Sequence, residues 1–381
     1  MEIKIALSDI DLCSEEIEAV ADVLASKWLT MGEVTQRFEA AFAEYLGVKH
    51  AFAVANGTAA LHIAHKVIGL KAGDEAICPS LTFVATANSV LYTGGIPVFA
   101  EIRGLDDLNI SPQSILEKIT DKTKAITVVH YGGYPCEMDN IMEIAQSHHL
   151  HVIEDAAHAP GAEYKGKKLG TVGDIGCFSF FSNKNMTTGE GGMVVTDNDE
   201  FAERIRLIRS HGMTSLTLDR HKGHAYSYDV LELGYNYRID EIRAAIGIEQ
   251  LKRLDKNNSA RKKIVELYHH LLKEIDEICI PFCDCPNESS FHILPVLLKS
   301  GVDRKNFQER LKAKGIQTSM HYPPIHLFSF YRQKYGYKEG LLPITEEIGR
   351  REVTFPLYPQ LDQRSVKYIV GEIKNVLASP K

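Results

Sequence analysis

Seven short apolar runs, each followed or preceded by a helix-like stretch, occupy residues 50–55, 76–79, 97–101, 125–130, 151–155, 175–180 and 192–196. Strands alternating with helical patterns in this way specify an α/β domain with a largely parallel sheet. Two amphipathic helices precede them. Ile17, Val20, Ala21 and Leu24 share one face of the first, and Phe38, Ala41, Phe42 and Tyr45 share one face of the second, which Gly47 is placed to stop. Both faces are expected to pack.

From Ile242 the pattern becomes a long charged helix running past Leu254 and Lys262, which suits a connector. A large domain over 1–250 and a smaller α+β domain over 251–381 are expected, in keeping with a chain of 381 residues. The second part holds a loop at 281–290 rich in Pro, Cys, Asn and Ser, a strand at 292–298 and a helix near 304–314. A last helix is marked by Val366, Ile369, Val370, Ile373 and Leu377.

Composition narrows the function. No apolar run is long enough to cross a bilayer, and the amino terminus lacks the order of a secretion signal, so a soluble, cytoplasmic protein is expected. The net charge of −7, without long blocks of like charge, offers no footprint for nucleic acid or an anionic membrane. Seven cysteines, an odd number, argue against a disulfide framework. Cys279, Cys283 and Cys285 cluster, but no second Cys or His pair stands at zinc-finger spacing, so no metal is expected.

Three segments carry chemistry. In Ala53 to Leu61 an apolar strand ends at Asn56-Gly57-Thr58 and a helix follows at once. Helix amino termini favour phosphate, Gly57 lets the backbone approach closely, and Thr58 adds a hydroxyl; an ordinary capped turn is the plainer reading. In His151 to His158, Asp155 lies at the carboxyl end of a buried strand, where ligands sit in open α/β sheets. It either pairs with a cationic ligand nitrogen or caps the next helix. In Cys177 to Val195 a strand leads into a turn carrying Lys184, and Gly189-x-Gly191-Gly192 leads into another strand. A Rossmann loop would open a helix instead, so no dinucleotide is implied. A lysine between buried strands tends to lose its proton, which imine formation requires.

These segments, in this order, resemble the sugar-nucleotide aminotransferases of the DegT family, which have the aspartate aminotransferase type of fold. The resemblance extends over Trp28 to Gly32, Asn56 to His62, Pro79 to Asn88, His130 to Asp139, Glu154 to His158, Ser179 to Gly192, Gly234 to Arg238 and His321 to His326. It implies pyridoxal 5′-phosphate held as a Schiff base on Lys184, with Asp155 on the pyridine nitrogen and Phe83 stacked on the ring. It further implies His158 beside the ring, the phosphate held by Thr58, the Ala59 backbone and Ser179, and Asn236 reaching the cofactor of a neighbouring subunit in a homodimer with shared sites. The substrates implied are an amino-acid donor, L-glutamate by family habit, and a keto sugar nucleotide. Tyr322 and His326 are candidates to contact it, or else they shape a proline-bounded turn; the stretch from Arg220 to Tyr228, with His221, Lys222, His224 and Tyr226, either receives a diphosphate or is a solvated loop. Asn56 stands where Ser is frequent in relatives, and Met31-Gly32-Glu33 where Gly-Pro is frequent. Two rivals share the fold: a sugar dehydratase, in which His replaces the lysine, and a regulatory protein without turnover. Lys184, Asp155 and Ser179 together speak against both.

Overall fold

The computed structural model describes residues 3–214, 227–285 and 288–378. The seven apolar runs are strands: β1 (His50–Val54), β2 (Glu75–Pro79), β3 (Ile96–Ala100), β4 (Thr123–Val129), β5 (His151–Asp155), then, after a small hairpin of β6 (Glu163–Tyr164) and β7 (Lys167–Lys168), β8 (Ile175–Ser179) and β9 (Gly192–Thr196). They form one sheet in the order β1-β9-β8-β5-β4-β2-β3. The pairs from β8 through β5, β4 and β2 to β3 are parallel, whereas β9 runs antiparallel to both β1 and β8. Helices cover the faces, so β5 and β9 are buried almost throughout rather than alternating.

The amino-terminal helices α1 (Ser14–Ser26) and α2 (Glu33–Leu46) pack beside the long helix Glu241–Leu272. In α2 the expected face is buried: Phe42 meets Phe178 and Phe180 with ring centroids 5.1 and 5.5 Å apart, and Gly47 ends the helix at φ +73°. Helix α1 corrects the expectation. Ile17 and Leu24 are 71% and 53% exposed, and Glu16 and Val23 are buried instead. The cause is polar. Glu16 accepts from Gln250 Nε2 at 2.7 Å and pairs with Arg253 of the long helix, and this tether turns the apolar stripe outward.

The long helix joins the parts of the molecule. Its first turn carries Glu241, whose carboxylate accepts hydrogen bonds of 2.8 Å from the N–H groups of Gly32, Val34 and Thr35, capping α2 from across the chain. Its far half gives Ile264, Val265, Tyr268 and Leu272 to a second core. That core is built on β10 (Ile278–Cys279), β11 (Leu294–Leu298) and β12 (Glu352–Phe355), an antiparallel sheet, with helices Arg304–Ala313 and Gln363–Ala378. The boundary expected near residue 250 falls inside the long helix. Ile5, from the start of the chain, also joins the second core and bridges Ile316. Helices Ser329–Tyr335 and Pro343–Arg351 were not read from the sequence. None of the described helices is long and apolar enough to cross a membrane.

Candidate active site

The carboxyl ends of β1, β4, β5 and β8 lead to one cavity of about 410 Å³, and the turns that follow them line it. Larger clefts of about 740 Å³ beside Trp28 and Arg37, and about 690 Å³ beside Arg103 and Cys283, lie away from these strand ends. The smaller cavity is preferred because strand ends, a helix amino terminus and an amine of altered basicity meet there.

At one side β1 gives way to α3 (Gly57–Val67), capped by Asn56 Oδ1, which accepts from Ala59 N at 2.8 Å. Gly57 and Thr58 line the cavity together with Ser179 from the end of β8. A Cβ on Gly57 would lie 2.8 Å from Ser179 Cβ, so the absence of a side chain allows this approach. The expectation for Ala59 needs correction: its N–H is engaged by the Asn56 cap, and the residue is buried behind the cavity wall.

Asp155 ends β5 and is buried. Its Oδ2 accepts from Thr86 Oγ1 at 2.7 Å, and Oδ1 from Ala157 N at 3.3 Å. Burial pushes its carboxyl above the usual range, against these hydrogen bonds and the nearby Lys184. A cationic N–H ligand would relieve that cost. Lys184 follows β8, and desolvation lowers its amine to about 8, with Asp155 pulling the other way. Roughly a tenth of the amine is therefore neutral at pH 7, far more than for an ordinary lysine.

His158 accepts from Gly132 N at Nδ1 (3.3 Å), so its proton sits on Nε2 and is donated to Tyr322 Oη at 3.0 Å. Burial and Lys184 hold this ring well below the usual histidine range, hence neutral. Phe83 is 57% exposed at the cavity wall, its ring centroid 6.1 Å from that of Tyr322. A ring bound between Lys184 and Asp155 would find an apolar face there.

Lys184, Asp155, Thr58, Phe83, His158, Ser179 and Tyr322 thus share one cavity. His326 does not. Its ring is 0% exposed and spends both nitrogens, on Ser80 Oγ at 2.8 Å and Glu346 Oε1 at 3.0 Å, so it holds the turn together and is closed to substrate. Asn236 is exposed and outside the cavity of its own chain. Arg220 lies outside the described residues, as do His221, Lys222, His224 and Tyr226. Sequence reasoning missed Thr86, His321 and His292. Thr86 stands within the Pro79 to Asn88 motif, in the first turn of the helix Ala85–Tyr92, and Thr82 lies in the bend just before it. His292 had no such signal.

The cavity offers a helix amino terminus suited to a phosphate, an amine able to form an imine and a buried carboxylate in need of a cation, which together fit pyridoxal phosphate. Comparison with known proteins agrees. SpsC of Bacillus subtilis, a spore coat polysaccharide biosynthesis protein, is 38% identical over 95% of this chain and 94% of its own. The Helicobacter pylori PseC structure, an aminotransferase of pseudoaminic acid biosynthesis, superposes with a TM-score of 0.92 at 33% identity over 98% of each chain. Spr1654 of Streptococcus pneumoniae, a sugar aminotransferase by its description, in its pyridoxal phosphate form, does so with a TM-score of 0.91 at 26% identity over 98% of each chain. The sequence profile of the DegT/DnrJ/EryC1/StrS aminotransferase family matches residues 11–374, and the chain belongs to that family of pyridoxal-phosphate-dependent enzymes.

Proposed function

We propose that this aminotransferase moves an amino group from L-glutamate to the carbonyl of a keto sugar nucleotide, giving an amino sugar nucleotide. The observation that carries the reading is the pairing, across one cavity, of an amine lowered to about 8 with a buried carboxylate. The sugar chemistry rests on the relatives: PseC acts in pseudoaminic acid biosynthesis and SpsC in that of a coat polysaccharide.

Pyridoxal phosphate, when bound, supplies a covalent handle for the amino group and an electron sink for the charge left on the substrate carbon. The protein's own residues do the rest. Lys184 would carry the cofactor, and its amine, once released, would take the proton from the donor carbon and pass it, from the same side, to the cofactor carbon that carries the amino group. Asp155, oriented by Thr86, holds the proton of the pyridine nitrogen. Thr58, Ser179 and the first turn of α3 anchor the phosphate, Phe83 covers one ring face, and His158 with Tyr322 borders the other side of the site. The sugar nucleotide enters past Tyr322, and the stretch around Arg220 receives its diphosphate.

The reading includes a homodimer in which Asn236 reaches the neighbouring cofactor. Its support is exposed apolar surface: Ile17 and Leu24 on α1, and Val230, Leu231 and Leu233 near Asn236. A cytoplasmic location belongs to the same reading, since sugar nucleotides are made there. The test is to load the protein with pyridoxal phosphate, record its visible band, and add L-glutamate alone. The band should fall, and a keto sugar nucleotide should restore it. A band that glutamate leaves unchanged overturns the donor assignment.

A further inference from the structure

Behind Lys184 stands a residue to which neither the motifs nor the relatives assign a role. His292 lies just before β11, in the part of the chain that builds the second core, and its Nε2 is 3.5 Å from Lys184 Nζ. Its tautomer follows from its neighbours. Asn185 Nδ2 donates to Asn258 Oδ1 at 2.8 Å and to Ser290 O at 2.7 Å, so its Oδ1 is the acceptor that faces His292 Nδ1 at 2.8 Å. His292 therefore carries its proton on Nδ1 and turns the Nε2 lone pair toward the amine. Burial holds the ring neutral, reinforced by the charges of Lys184 and Arg261 near it.

We propose that His292 is a positioning residue for Lys184: it accepts an N–H from the released amine and so points the amine's lone pair at the substrate carbon. An amine has one lone pair and must present it forward to remove a proton. An acceptor behind it fixes that direction, whereas a donor there would consume the lone pair. After the transfer, the ammonium keeps the same acceptor through a stronger, charge-assisted bond until it gives the proton back. The support reaches the long helix through Asn258, so the geometry of the amine is set jointly by the sheet and by the helix that joins the two cores.

This inference rests on the transaminase reading, and one readout is independent of turnover. In the full-length enzyme stripped of cofactor, acetylation of Lys184 by acetic anhydride is followed against pH by mass spectrometry of the Lys184 peptide. The neutral amine reacts, so the midpoint reports its basicity, set by burial and then by Asp155, with His158, His292 and His321 also facing it. The wild-type midpoint should lie near 8. In His292→Leu the ammonium loses its acceptor and the midpoint should drop by about one pH unit. His292→Gln, which can offer a carbonyl at the Nε2 position, should return it close to wild type. In the loaded enzyme His292→Leu should lower kcat about tenfold and change the glutamate KM less than about twofold, with Gln restoring most of the loss. A midpoint unmoved in Leu, or moved equally in Gln, overturns the proposal and leaves His292 as packing. A wild-type enzyme that glutamate cannot convert would sink the functional reading separately, while the acetylation midpoints still judge the contact.

Discussion

Thr86 donates a 2.7 Å hydrogen bond to Asp155 Oδ2, and Thr82 Oγ1 stands 3.0 Å behind Thr86 Oγ1. Because Thr86 gives its proton to the carboxylate, Thr82 must donate to Thr86, and the two hydroxyls form a directed chain that turns Asp155 toward the cavity. Hydrogen bonds to charged groups contribute about 1.5–3 kcal/mol. Thr86→Val keeps the shape and removes the donor, so the fall of the visible band after glutamate addition should slow by roughly tenfold or more. An unchanged rate would mean that Asp155 is oriented without Thr86.

Lys184→Ala should abolish turnover and the absorbance that arises from covalent cofactor attachment. Asp155→Asn should fold normally and still bind cofactor, but be slower by several orders of magnitude in the donor half-reaction, because the ring is no longer held protonated. Circular dichroism, the visible spectrum and stopped-flow rates separate these effects. Wild-type kinetics in Asp155→Asn would show that another group holds the ring proton.

Gly192 opens β9 against the Asn56-Gly57-Thr58 turn. A Cβ there would lie 2.6 Å from both the carbonyl carbon and oxygen of Asn56 and 2.8 Å from Phe178 O, all backbone atoms that cannot swing aside. Gly192→Ala should cost about 1–3 kcal/mol in urea unfolding and should also weaken cofactor binding, because the strain falls on the Asn56 cap. Gly189→Ala serves as contrast. It meets open space, and only its φ of +77° opposes a side chain, so its cost should be about 1 kcal/mol without loss of cofactor affinity.

Glu352 is buried on β12, where desolvation raises its carboxyl to about 8 against the pull of Arg304. Its oxygens face His321 N at 2.7 Å and Thr354 Oγ1 at 2.6 Å. The unfolded chain releases this proton near 4.5, whereas the folded protein keeps it to about 8. Its contribution to stability is therefore full below 4.5 and declines as pH rises from 4.5 to 8. Glu352→Gln mimics the protonated form and should not lose stability in that window, so its advantage in Tm over wild type should grow from pH 5 to about 8. Parallel Tm curves for the two proteins would refute a neutral Glu352.

Much of the molecule was legible in the sequence because the signals are local. An apolar run of five residues bounded by polar turns is a strand whatever surrounds it, so all seven strands of the large sheet were found. Cavity residues at or after strand ends were found for the same reason: Thr58 follows β1, Asp155 ends β5 and Lys184 follows β8, whereas His158, three residues past β5, came only with the family resemblance. Periodicity could not say which side of α1 faces inward. The Glu16–Arg253 pair, between residues 237 positions apart, decided that against the apolar stripe. Nor could a His-x-x-x-x-His motif show that His326 closes on Ser80 and Glu346 while His321 reaches the cavity. His292 and Lys184 are 108 residues apart. The His292 ring is oriented by Asn185, which Asn258 of the long helix and Ser290 O hold in turn. Short-range patterns determine elements and the turns at their ends; which side chains then meet is set by packing between elements, and no local spacing encodes it.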